Sequence, residues 1–135
     1  MKKMNEDFIL VGHLQVMDEA LSSLYSDRTN GKFFLFVRIY EDCDDNTYLL
    51  SEVLPSAIID YMDGKIGLKQ IFSFNPSFYY KRTTQPTLYR KDFQTINAEE
   101  AHTKLLESSS LDDFFSMSLA CDCSTIKNYL RKALI

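Results

Sequence analysis

The chain has no tryptophan, and its 135 residues include four glycines, three prolines, three cysteines and two histidines. Without tryptophan, a large core must rest on the ten phenylalanines and eight tyrosines, side chains that each bury a large apolar area. So little glycine and proline points to regular elements joined by short connections. The cysteines, Cys43, Cys121 and Cys123, are odd in number, and two of them stand one residue apart. That is a poor disulfide framework and fits a reducing compartment. No apolar run approaches the ~20 residues of a membrane-spanning helix. The stretch Phe8 to Val11 is too short to serve as the core of a signal peptide behind Met1 to Asp7. The expectation is a cytoplasmic protein with no membrane partner. A basic excess is also missing: 15 Lys and Arg stand against 19 Asp and Glu, for a net charge of −4. That balance argues against a general binder of phosphate backbones. No glycine-rich phosphate cradle of either common type occurs.

Hydrophobic residues make up 45% and charged residues 25% of the chain, the balance of a folded domain rather than a disordered tail. This length predicts one domain over 1–135, with a sheet-rich part at 1–95 and a helical part at 96–135. Phe8 to Met17 ends in alternation, with Leu14 and Val16 on one face and His13 and Gln15 on the other, which reads as a strand. A second strand is expected from Leu21 to Ser26, then a turn at Asp27 to Gly31 whose Asn-Gly pair signals a hairpin. Lys32 to Tyr40 is the clearest strand, rich in Phe, Val and Ile. An acidic turn, Glu41 to Asn46, leads to a strand at Thr47 to Leu54.

Pro55 and Ser56 start a helix that Gly64 ends, and a shorter helix follows Gly67 until Asn75 and Pro76. Strands are expected at Phe78 to Arg82 and Thr87 to Phe93. Asn97 with Glu100 forms a capping box for a helix from Ala98 to about Glu107. Ser110 with Asp113 repeats that pattern and predicts a helix through Leu119. Ser124 or Thr125 is expected to cap a last helix, whose apolar residues Ile126, Tyr129, Leu130, Ala133 and Leu134 keep helical spacing. Strands first, a helical pair, more strand and then helices predict an α+β fold. Its sheet is mostly antiparallel, and the C-terminal helices pack on one face.

The stretch from Gly31 to Phe72 carries an Asn-Gly-Lys turn, an aromatic strand and a Tyr-Leu-Leu strand. Val53-Leu54-Pro55-Ser56 then enters a helix that ends in Asp63-Gly64-Lys65-Ile66-Gly67-Leu68-Lys69-Gln70-Ile71-Phe72. This resembles a family of small bacterial α+β domains of unknown function, with a helix ending in Gly-Lys-Ile, then a polar or small residue, Leu, a basic residue and Phe two or three positions on. The similarity spans about residues 8–80. It implies a bacterial, phage or mobile-element source and brings no catalytic residues.

Each chemical signal meets a plainer alternative. Asp42, Asp44 and Asn46 have the spacing that opens a calcium loop, but Thr47 replaces the required glycine and Val53 the closing glutamate. Cys121-Asp122-Cys123, with Cys43, His13 and His102, lacks the paired cysteine spacing of structural zinc sites. Neither a metal nor any other cofactor is expected. Cys121, His102 and Asp122 allow a thiol–imidazole–carboxylate set on paper, but no catalytic residue is assigned. The first functional expectation is a non-enzymatic protein-interaction domain of the immunity, antitoxin, inhibitor or accessory-subunit type. It would occlude or scaffold a larger protein partner encoded nearby. The contacts would be the acidic residues Glu41, Asp42, Asp44 and Asp45, with Tyr129, Leu130 and Leu134 on the last helix. The alternative is a nucleic-acid-binding accessory domain. Tyr79, Tyr80, Lys81, Arg82, Tyr89, Arg90 and Lys91 interleave aromatic and basic side chains, which can stack bases and hold phosphates.

Overall fold

Alternating apolar residues and an Asn-Gly turn build the first half of the molecule as a meander. The structure is a computed structural model. It describes residues 7–17, 19–39, 46–74, 76–82, 93–107 and 113–133. Strands β1 (Phe8–Met17), β2 (Glu19–Asp27), β3 (Phe33–Ile39) and β4 (Asn46–Val53) come first. Helices α1 (Pro55–Met62) and α2 (Leu68–Phe74) follow, then β5 (Ser77–Arg82), β6 (Gln94–Ile96), α3 (Ala98–Glu107), a 3-10 turn (Met117–Leu119) and α4 (Cys123–Ala133). The strands lie in chain order, β1-β2-β3-β4-β5-β6, and every neighbour pair is antiparallel. The fold is α+β.

The turn chemistry is as the sequence implies. Gly31 takes φ 75°, and its N–H donates to the Asp27 carbonyl at 2.9 Å. Gly64, at φ 78°, follows α1, and Lys65 N–H closes the helix end on the Asp60 carbonyl at 2.8 Å. Both positions need the left-handed backbone that glycine adopts without strain. Asn97 Oδ1 accepts from Glu100 N–H at 2.8 Å, satisfying one of the free donors at the start of α3.

Register assigns the two faces of the sheet. Leu24, Leu35, Val37, Leu49 and Val53 face the helices, where Ile58, Tyr61, Phe72, Ala101, Ile126 and Leu130 complete one core. The opposite face carries Phe8, Phe34, Phe36, Leu50 and Tyr80, all buried, with Tyr25, Tyr48, Phe78 and Phe93 packed around them. Phe93 is the hub of this second core, with its ring 5.3 Å from Phe8, 5.4 Å from Tyr80, 6.0 Å from Phe36 and 6.2 Å from Phe78. Most of these ring pairs are edge-to-face or tilted, the geometry that aromatic quadrupoles favour. The dense aromatic composition is thus spent on a sheet buried on both faces.

Four details depart from the sequence pattern. First, β1 does not alternate cleanly, because its register against β2 shifts between Leu10 and Gly12, His13 and Gln15, and Gln15 and Val16. A bulge re-aims side chains. Gln15 is therefore buried on the helix side and accepts from the Tyr61 hydroxyl at 2.8 Å, while His13 faces the other way and meets Ser23 Oγ at 2.7 Å. Second, the strand after β5 is Gln94–Ile96, paired to Ser77–Tyr79. Of the expected strand at Thr87 to Phe93, residues 87–92 lie outside the described residues and Phe93 precedes β6.

Third, residues 113–119 hold no α-helix, only the short turn Met117–Leu119. Asp113 does cap a helix, but the helix is α2. Leu68 N–H donates to the Asp113 carbonyl and Lys69 N–H to Asp113 Oδ1, both at 2.8 Å. Tertiary capping outcompetes the local pattern. Fourth, α4 starts at Cys123 rather than at Ser124 or Thr125. Asp122 sets that start, because its N–H donates to the His13 carbonyl and its Oδ2 accepts from His13 N–H, both at 2.9 Å. Its own carbonyl accepts from Ile126 N–H.

Gly12 and Gly67 permit these contacts. A Cβ at Gly12 would come within 2.8 Å of Ile126 Cγ1, and one at Gly67 would collide with the Asp113 carboxylate. Asp113→Ala is expected to destabilise the fold by about 0.5–2 kcal/mol, the usual worth of a helix cap, read by urea denaturation. Gly67→Ala in the Asp113→Ala background is expected to cost less than Gly67→Ala alone, since the colliding carboxylate is gone. Equal costs would separate the two residues.

Candidate protein-docking strap

Between α3 and α4 the chain crosses the helix layer as a strap, Asp113 to Asp122. Its first residue is pinned to the start of α2. Phe115 then turns inward, its ring edge-to-face with Tyr61 at 5.5 Å. Tyr61 is fully buried and holds Gln15 of β1, so the strap is fastened to the core through one aromatic contact. At its far end Ala120 bridges Gln15, and Cys121 N–H donates to the Leu14 carbonyl at 3.0 Å. These contacts extend the sheet past β1 and cover part of an otherwise open edge, the usual remedy for an edge strand.

Anchoring Phe115 inward leaves its neighbours outward. Phe114 is 53% and Met117 72% exposed. Single exposed apolar residues are ordinary on a protein surface. Here the pair sits on a segment held at both ends and in the middle, which lowers the entropy lost when a partner covers them. The sequence pattern missed both residues because Asp113 to Leu119 reads as a capped helix.

The expected partner residues are placed unevenly. Tyr129 is half exposed, its ring 5.9 Å from Phe33 and edge-to-face with it. Leu130 is fully buried in the helix-side core. That corrects its assignment as a contact residue, because a side chain without exposed surface cannot meet a partner. Glu41, Asp42, Asp44, Asp45 and Leu134 lie outside the described residues.

The alternative strip is divided between faces. Tyr79 points to the helix side, with Lys104 Nζ 4.5 Å from its ring centre, a cation–π contact. Tyr80 points to the aromatic face, is buried, and lies near-parallel to Tyr48 at 6.4 Å. The two rings therefore form no common stacking platform. Lys81 and Arg82 belong to β5, and Tyr89, Arg90 and Lys91 lie outside the described residues.

The paper set of thiol, imidazole and carboxylate is not brought together. His102 lies between α3 and α2, with Nε2 3.0 Å from both Ser73 Oγ and the Lys69 carbonyl. Cys121 and Asp122 sit on β1 instead. Lost hydration raises the Cys121 thiol above its ordinary range, and its hydrogen bond to Asp122 Oδ1 and that carboxylate's charge raise it further. Lost hydration also raises Cys123, against weaker opposing effects. A nucleophilic cysteine needs the reverse, since the thiolate is the reactive form. Iodoacetamide is therefore expected to label Cys121 more slowly at neutral pH than a free thiol, and Asp122→Asn to speed it. A mass-spectrometric time course checks this, and labelling faster than the free thiol would contradict it.

On the helix side Lys127 Nζ pairs with Asp63 Oδ1 at 2.6 Å. That hydrogen bond, with Coulomb attraction from Lys127, Lys65 and Arg131, holds the Asp63 carboxyl below its ordinary range. The pair supports the fold above the ordinary carboxylate range and loses its contribution as pH falls through the depressed value. Among the described residues no group of three or more His, Cys, Asp or Glu side chains is placed to hold a metal ion. Among them, too, no helix is long and apolar enough to cross a membrane.

Comparisons with known proteins add no family: no family model, no curated protein and no solved structure matches the chain.

Proposed function

We propose that this chain is a non-catalytic protein-interaction domain, cytoplasmic and of bacterial or mobile-element origin. Its role is of the immunity, antitoxin, inhibitor or accessory-subunit kind, acting by covering or scaffolding a larger protein. The observation that carries this reading is the anchored strap with Phe114 and Met117 held outward. Large apolar and aromatic side chains carried on an anchored backbone are what a protein interface uses for affinity. The raised thiols of Cys121 and Cys123 speak against these two cysteines as activated nucleophiles.

The test is capture from the native host with tagged wild type, Phe114→Ser/Met117→Ser, and Asp42→Lys/Asp44→Lys/Asp45→Lys. One dominant protein retained by wild type and lost with the strap variant is the expected result. The same protein retained by the strap variant as by wild type would remove the strap from the interface, and captured nucleic acid would favour the alternative reading.

A further inference from the structure

The strap runs beside a cluster of cations gathered where α1 ends against α4. Lys127 Nζ holds Asp63 Oδ1 at 2.6 Å, and Coulomb attraction from Lys65 and Arg131 reaches the same carboxylate. Three cations thus share one anion, and Lys127 takes its hydrogen bond. Lys65 and Arg131 are exposed, and among the described residues neither side chain makes a hydrogen bond or an ion pair. Both are carried on fixed backbone. Lys65 follows the left-handed turn at Gly64, with its N–H on the Asp60 carbonyl. Arg131 lies one turn beyond Lys127 on the same side of α4.

The cluster adjoins the strap through both helices. Tyr61 of α1, just before Asp63, carries Phe115, and the strap ends at Asp122, where the helix that bears Lys127 begins. The strap's own described carboxylates are engaged within the fold, Asp113 by Lys69 N–H and Asp122 by His13 N–H. An approaching surface meets the outward Phe114 and Met117 with Lys65 and Arg131 to one side. We propose that the strap's partner is an acidic protein surface with an apolar pocket, in which Phe114 and Met117 sit while carboxylates at the rim pair with Lys65 and Arg131. This rests on reading the chain as a protein-interaction domain. A nucleic acid fits less well. Its affinity grows with the number of phosphates neutralised, and here two exposed cations stand on a chain of net charge −4.

Anchors and cations make separable contributions, because apolar burial is indifferent to the partner's sign and rim charges select it. The probes are two fluorescent amphipathic helical peptides with the same leucine face, one with glutamate and one with lysine on the polar face. Anisotropy titration uses the full chain at about 150 mM salt, where charges more than about 8 Å apart are largely screened. The peptides then read the local cluster rather than the net charge of the chain.

The glutamate peptide is expected to bind at least about fivefold more tightly than the lysine peptide. Lys65→Gln/Arg131→Gln should bring the two peptides to about equal affinity. It leaves the Lys127–Asp63 bond in place, so its melting temperature should stay near that of wild type. Phe114→Ser/Met117→Ser should weaken both peptides about tenfold, a difference two apolar side chains readily supply. Equal binding by wild type, a preference for the lysine peptide, or no binding of either would overturn the acidic partner. A glutamate preference that survives Lys65→Gln/Arg131→Gln would overturn the cluster as its source, and tighter binding of a labelled oligonucleotide would overturn the protein partner. If host capture depends on the strap and ignores Lys65→Gln/Arg131→Gln, the interaction reading stands and the partner's charge alone is wrong.

Discussion

Phe36→Ala is expected to destabilise the fold by about 3–5 kcal/mol, the range for deleting a fully packed phenylalanine. Phe36 is 3% exposed on the face of the sheet away from the helices. Its ring lies 4.5 Å from Tyr25, 6.1 Å from Phe8, 6.2 Å from Tyr48 and 6.0 Å from Phe93. Truncation leaves a void that those rings cannot all close at once, because each is fixed by a different strand or by the chain before β6. The lost edge contacts add to the transfer term. Urea denaturation measures the cost. A value under about 1 kcal/mol would mean that this face is a solvated surface rather than a second core.

Leu130→Ala is expected to cost about 2–5 kcal/mol, as for other buried leucines, while Tyr129→Ala costs about 0.5–1.5 kcal/mol through its edge contact with Phe33. The two residues are adjacent in sequence, yet one is fully buried and the other half exposed. Leu130 joins Ile126 in holding α4 on the sheet, and Gly12 lets Ile126 approach β1. The ratio of the two costs therefore reads how α4 is oriented. Similar small costs for both would mean that α4 is not docked by this stripe.

Much of the fold was legible because local chemistry and tertiary structure agree. The Asn30-Gly31 hairpin, Pro55 at the start of α1, Gly64 after it, and the Asn97 cap of α3 all use short-range rules that packing does not override. The failures arise where tertiary hydrogen bonds or bulges override the local pattern. Asp113 has the local pattern of a cap for its own segment, but α2 offers it two free N–H donors from across the chain. Asp122 likewise answers to His13 of β1. Bulges turn Gln15 inward, and no period-2 pattern records a bulge.

The site suffered most from this. Phe114 and Met117 look like part of an amphipathic helix unless Asp113 and Asp122 are known to be tied elsewhere. Leu130 follows the same helical period as Tyr129, and that period does not say which side the core takes. Tyr79 and Tyr80 form a strip along the sequence. As neighbours in β5 they must point to opposite faces, so a sequence cluster in a strand is not a surface cluster.

Oxidative footprinting of Met117 tests the docking strap most directly. Hydroxyl radicals are applied to the protein alone and to the complex recovered from its native host, and oxidation of Met117 is compared by mass spectrometry. Met117 is 72% exposed, so it should oxidise readily in the free protein and be protected in the complex, while the buried Met62 stays equally protected in both. Equal oxidation of Met117 in the two samples would show that the partner binds elsewhere and would contradict the strap as the docking surface.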